Sequence, residues 1–214
     1  MKQISCLLLG LLFLTLQSAG SHAASGADEM KRLAADVAAL ELGFGEYILG
    51  NTLTSAQKTL ARQNTIPKTL EGTIKFSDGD IYVVAKSDDG MILGIYKEYG
   101  EATRKDVKEL VGDLMMQFEE PTTMAHDKLI YWAFDKSGKL GGDEYNFSKQ
   151  TGDMDLIATV KFQSSQPIKP DAPSQEETKE EETEYQKSSV YVIISSNPLS
   201  QIFLAATGGL GNSQ

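Results

Sequence analysis

The sequence is poor in the residues that carry most reactive chemistry. Its 214 residues include one cysteine, Cys6, one tryptophan, Trp132, and two histidines, His22 and His126. Cys6 lies inside an apolar run from Ile4 to Leu16, interrupted otherwise only by Ser5, Gly10 and Thr15. The run follows a short positive start, Met1-Lys2-Gln3, and leads into small residues around Ser21-His22-Ala23. Positive, apolar, small is the order of a cleavable secretory signal peptide. A membrane-crossing helix needs about 20 apolar residues, more than this run holds. Residues 1–23 are therefore expected to be removed, with Ala24 as the mature N-terminus and no transmembrane anchor in the mature chain. The expected destination is the periplasm or the extracellular medium. Without Cys6 the mature chain has no cysteine to form a disulfide, a thiolate nucleophile or a cysteine-ligated metal site.

Basic residues are also scarce. Lys and Arg total 20 against 30 Asp and Glu, a formal charge of −10; loss of Lys2 with the leader makes it −11. No basic stripe is present, so neither a nucleic acid backbone nor an anionic membrane surface is an expected partner. Much of the negative charge is local. Asp171 to Glu184 contains Asp171, Glu176, Glu177, Glu180, Glu181, Glu182 and Glu184 against the single base Lys179. With almost no apolar residues, 164–187 is expected to be a disordered acidic insertion and a solvated spacer.

The motifs of common chemistries are missing. No G-x-S-x-G occurs. His126 is the mature chain's one histidine and has no nucleophile partner in the sequence, so a surface or loop-packing role is expected. Gly208-Gly209-Leu210-Gly211 lacks the lysine and following helix of a phosphate loop. Asp78-Gly79-Asp80, Asp88-Asp89-Gly90 and the stretch from Asp135 and Ser137 to Asp143-Glu144 offer oxygens, but none follows the calcium-loop pattern. Glu119-Glu120 does not define a catalytic pair. No catalytic, cofactor-binding or metal-ligating residue is assigned, and no cofactor is expected.

What remains is a well-patterned core. Met30, Leu33, Val37 and Leu40 recur at helical spacing within Asp28–Leu42. Thr54-Ser55-Ala56-Gln57 fits a capping box opening a helix to Gln63, with Ala56 and Leu60 on one face. Thr73–Ser77, Ile81–Lys86 and Met91–Tyr96 read as a strand meander, with type I′ turns expected at Asp78-Gly79 and Asp89-Gly90. Ile81, Val83 and Ala85 share one strand face and Tyr82 and Val84 the other. Both are apolar enough to predict a sheet covered on both sides.

Val107, Leu110, Val111, Leu114 and Phe118 form the stripe of a helix over Arg104–Phe118, capped by Thr103 and widened by Met115 and Met116. Leu129–Phe134 reads as a buried strand, with Tyr131, Trp132 and Phe134 as core rather than ligand cleft. Lys139–Phe147 is its expected return, and Leu156–Phe162 and Val190–Ile194 are further strands. Asn197-Pro198 is expected to cap a last helix, whose face is Leu199, Ile202, Phe203 and Ala206.

These elements predict an α+β fold, helices packed on an antiparallel sheet, with two helix-plus-strands units as a weak internal repeat. One domain is expected over 24–163 plus 188–208, with 164–187 inserted and 209–214 frayed. Ile48 to Gln57 and Leu129 to Leu140 resemble the opening and the strand–turn–strand of SmpA/OmlA-type envelope lipoproteins and of β-lactamase-inhibitor-protein-like domains. The resemblance implies a noncatalytic, protein-binding role, although the lipid-bearing cysteine of the lipoproteins is missing. The expected function is that of an exported soluble protein binding another envelope or extracellular protein. A small-ligand carrier and a carboxylate-based hydrolase are the alternatives.

Overall fold

The computed structural model describes residues 19–67, 69–152, 154–168 and 187–207. The apolar run up to residue 18, the bulk of the acidic segment expected to be an insertion, and the tail after residue 207 lie outside the described residues. Among the described residues the fold is α+β: five helices, an antiparallel sheet of eight strands and a separate two-stranded ribbon. No described helix is long and apolar enough to cross a membrane.

The chain enters through α1 (Ala19–Ala38) and the ribbon of β1 (Gly43–Phe44) and β2 (Tyr47–Ile48). Next come α2 (Ser55–Gln63) and the meander of β3 (Thr73–Asp78), β4 (Ile81–Lys86) and β5 (Ile92–Ala102). Then follow α3 (Arg104–Phe118), β6 (Thr123–Ala125), β7 (Leu129–Asp135), β8 (Gly138–Lys139) and α4 (Gly142–Thr151). The chain closes with β9 (Ala158–Ser164), β10 (Ser188–Ser195) and α5 (Asn197–Ala206).

The sheet order is β3-β4-β5-β10-β9-β7-β6, with β8 paired to β7. It contains two three-stranded meanders, β3-β4-β5 and β7-β9-β10, joined through their last strands. This arrangement gives the internal repeat its structural form. The outer edge of β3 is covered where the Ile66 amide donates to the Lys75 carbonyl (2.8 Å) and Asn64 Nδ2 to the Ser77 carbonyl (3.0 Å). The other edge, β6, is only three residues long. A covered edge and a short one both limit strand addition.

Strand residues alternate, as the pleat requires. Phe76, Val83, Ile95, Ile194, Val160 and Trp132 occupy one row on the buried face, each almost wholly sealed. The capped helix α3 lies against β5 and β10, α2 against β3, and α1 against α5. The predicted capping box at Thr54 and the predicted cap at Thr103 both form, the second also as a box: Thr54 and Thr103 each accept from the third helical amide, while Gln57 and Asp106 reach back to the cap amides. Each cap is worth about 1 kcal/mol.

Several expectations need correction. Helix α1 ends at Ala38 rather than Leu42, because Glu41 turns the chain with a positive φ of 54° into the ribbon. Of the expected α2 face, Leu60 packs partly buried against the core while Ala56 is exposed, and the fully buried residues are Gln57 and Ala61. Met115 and Met116 do not widen the core: they are 38% and 88% exposed. The β3–β4 turn is Gly79-Asp80, with positive φ at Gly79 alone, which matches a type II′ rather than a type I′ hairpin. The β4–β5 connection is longer, and of its residues Gly90 alone has positive φ.

The expected return strand Lys139–Phe147 is replaced by the two-residue β8 and then α4. Asp143 and Glu144 in the first turn of α4, Lys149 in its last and left-handed Gly152 at its C-cap are helix signals that outweighed a weak alternation. The N-cap of α5 is Ser196, whose hydroxyl accepts from the Leu199 amide, one residue before the expected Asn197. Finally, the sheet is not sealed on both sides.

Candidate functional site

The second face of the sheet is partly exposed from edge to edge. Ser77, Tyr82, Tyr96, Ile193, Lys161, Tyr131 and Thr123 are successive register partners across the seven main strands, and every one is partly exposed. At about 4.8 Å per strand the row spans about 29 Å. Lys75, Val84, Gly94, Ser195, Thr159 and Ala133 flank it on one side. Glu98, Tyr191, Gln163, Leu129 and Ala125 flank it on the other.

The aromatic members are held in fixed positions. Tyr82 and Tyr96 stack with ring centroids 4.4 Å apart and planes 1° from parallel. The Lys75 ammonium lies 5.0 Å from the Tyr96 ring and 5.9 Å from that of Tyr82. Lys161 places its ammonium 5.9 Å from the Tyr131 ring. Such contacts stabilise by about 0.5–1 kcal/mol where solvent reaches them, and they restrict otherwise mobile lysines. Tyr191 donates to Glu98 Oε1 at 3.3 Å, and the Glu98 carboxylate is the main cause that holds this phenol above its ordinary pKa.

A partly exposed aromatic set on regular strands is rigid before any partner arrives. Tyr and Trp are enriched among the residues that dominate binding energy, because they bury a large area at small entropic cost. Sequence reading missed this surface. Its signal was the matching parity of Tyr82, Tyr96, Tyr131 and Tyr191 with Lys75 and Lys161, but parity becomes a surface only once the strand registers are known. Of the three aromatics weighed for the Leu129–Phe134 strand, the structure separates Tyr131, on the open face, from Trp132 and Phe134, in the core.

The acidic turns have local duties. Tyr47 donates to Asp78 Oδ2 at 2.9 Å; burial first, and Asp78 next, push its phenol well above the ordinary range. Asp80 pairs with Lys97 at 3.0 Å. Asp88 and Asp89 meet Lys86 at 3.4 and 2.9 Å, and Asp89 also accepts from the Met91 amide. Burial works against the charge of Lys86, but the bonds from Asp89 and Asp88 outweigh it and raise its pKa. Asp135 accepts from the Ser137 amide at 2.7 Å, while Asp143 and Glu144 open α4. Among the described residues no three His, Cys, Asp or Glu side chains gather in a metal-sized group. His126 is exposed in the β6–β7 turn, where it and Asp127 both have positive φ.

Clefts lie elsewhere among the described residues. One of about 610 Å³ runs between α1 and α5; Leu33, Ile157 and Ile202 line it together with Arg32, Asp155 and the Asp36–Lys136 ion pair. A smaller one of about 420 Å³ lies where Leu40, Leu42, Phe118 and Phe134 approach Glu119 and Lys139. Comparison with protein-family models, with characterised proteins and with solved structures finds no match for this chain.

Proposed function

We propose that this protein is exported to the periplasm or the medium and acts by binding another protein across the open face of its sheet, without covalent chemistry of its own. The observation that carries the reading is the row from Ser77 to Thr123, with its stacked tyrosines and lysine-capped rings. Soluble proteins seldom leave large apolar side chains such as Ile193 and four tyrosines together on one face without a use for them. The area suits a protein rather than a small molecule. A row of about 29 Å, three residues deep, compares with the roughly 800 Å² that each partner contributes to a standard interface. The signal-peptide pattern of residues 1–23 supports export, and the resemblance of 48–57 and 129–140 to protein-binding envelope domains points the same way.

The α1–α5 cleft favours a second reading, a small-ligand carrier, because its volume lies within the range of small-molecule sites. Site-specific photocrosslinking in the producing cells separates the two. A crosslinker at Ile193 or Tyr131 is expected to trap a second protein, whereas one at Met116, on the opposite side of α3 from the core, is not. Absence of adducts from every open-face position would refute binding at this face.

A further inference from the structure

We infer that the partner of the open face is an acidic protein surface, whose carboxylates meet Lys75 and Lys161 while its apolar side chains meet Ile193 and the tyrosine rings. This inference rests on the open face being the docking surface. Its basis is the inventory of charge and hydrogen-bonding groups there. The chain carries a net −10, yet the centre of this face presents two ammonium groups and a single carboxylate, Glu98. That carboxylate already accepts from Tyr191. Among the described residues neither Lys75 nor Lys161 has a carboxylate within ion-pair distance; each ammonium lies over a tyrosine ring of this face instead.

The phenols extend the pattern. Tyr47 and Tyr191 spend their hydroxyls on carboxylates. The hydroxyls of Tyr82, Tyr96 and Tyr131 have no hydrogen-bond partner among the described residues. The face therefore offers unspent donors and almost no unspent charged acceptor. A partner that lays carboxylates here satisfies them, whereas a basic partner would set like charges against Lys75 and Lys161. The two lysines lie four strands apart, about 19 Å, on either side of Tyr96 and Ile193. Each ammonium lies over a tyrosine ring, so a partner can pair its carboxylates and bury its apolar side chains on the same surface. A phosphate backbone would call for a denser line of cations, and the overall negative charge would repel it.

The test uses the whole protein as bait for a displayed library of random 16-residue peptides. Only binders lost on Ile193→Asp and on Tyr82→Ala are counted as face-dependent. Two variants are used in case the first disturbs a central strand, and each is checked for an unchanged unfolding midpoint. Face-dependent binders are expected to contain Asp and Glu at about twice the library frequency or more. The paired charge reversal Lys75→Glu with Lys161→Glu is expected to weaken them about tenfold, as two partly exposed ion pairs would, and to reselect peptides rich in Lys and Arg. Face-dependent binders with no acidic enrichment, or face-dependent binding of a 20-nucleotide poly(dT) probe, overturn the acidic partner while leaving the face as a docking surface. If no binder depends on either face variant, the docking surface itself is wrong.

Discussion

Replacing Glu119 with glycine is expected to stabilise the protein by about 1 kcal/mol. Glu119 follows the last residue of α3 with φ 62° and ψ −159°, a backbone region that glycine occupies freely and other residues enter only under strain. Such strain costs about 1–3 kcal/mol. Two terms oppose the gain. Glycine gives the unfolded chain more freedom, which costs about 0.5–1 kcal/mol. The substitution also removes the 3.7 Å ion pair to Lys139, but the Glu119 side chain is 83% exposed, and such pairs contribute about 0–1 kcal/mol. The conformation is kept because the Glu119 carbonyl accepts from Trp132 Nε1 at 3.0 Å, and Trp132 is fully buried. Turning that peptide to relieve the strain would leave a buried indole N–H unsatisfied, at about 1–3 kcal/mol.

Urea unfolding followed by fluorescence is the assay. Trp132 is the single tryptophan, and its indole bonds directly to the perturbed peptide. Glu119→Ala is the control, since it deletes the ion pair but retains a Cβ at positive φ. Glu119→Gly should be the more stable of the two by about 1 kcal/mol, with the native emission maximum of Trp132 unchanged. A glycine variant less stable than the alanine variant would refute the strain argument.

The β6–β7 turn repeats the logic: His126 and Asp127, both at positive φ, replaced together by Asn-Gly should raise the urea midpoint by the equivalent of about 0.5–1 kcal/mol. Leu114→Ala should cost about 2–5 kcal/mol in the same measurement, because the residue is buried beneath α3. Acid should weaken the protein through Asp106, whose carboxyl is held below its ordinary pKa first by the Thr103 amide and then by the Thr103 hydroxyl. A depressed carboxylate contributes stability above its unfolded pKa of about 3.9 that is lost as pH falls through the lower folded value. The urea midpoint should therefore drop between pH 5 and pH 2, and Asp106→Asn should make that drop shallower.

How far the sequence could be read depended on the range of the interaction. The boxes at Thr54–Gln57 and Thr103–Asp106 close within three residues, and both were legible. Strand Ile81–Lys86 was also legible, because alternation is local. The Met115 and Met116 error was avoidable from helix geometry alone. At 100° per residue, Val107, Val111, Leu114 and Phe118 cluster on one side; Met115 falls about 70° from their centre and Met116 about 170°. The observed exposures of 38% and 88% follow that order. Other features were not legible. Tyr96 and Ile193 are nearly a hundred positions apart, and only the pairing of β5 with β10 makes them neighbours. The openness of the second face depends on which elements cover it, and alternation along one strand does not carry that information. Tyr82 and Val84 were correctly placed opposite Val83, but apolar composition alone cannot tell a face awaiting a helix from one awaiting a partner.

The open row is a property of the joined sheet rather than of either meander. Tyr82 and Tyr96 come from the first unit, Ile193, Lys161 and Tyr131 from the second, and the β5–β10 pairing is the seam between them. On the buried face the same seam sets Ile95 beside Ile194, and α3 lies across it against both strands. One set of residues therefore joins the two units and brings the two halves of the row together. A partner that spans the row touches both units, binds only the joined form, and stabilises that form by mass action: about 2.7 kcal/mol when its free concentration is a hundred times the dissociation constant. Loosening the seam from the core side and removing the partner from the open side thus act on the same equilibrium. That coupling would let the chain leave aromatic side chains uncovered on its central strands: an occupied face would add to stability, and the buried face holds the sheet together when the open one is empty.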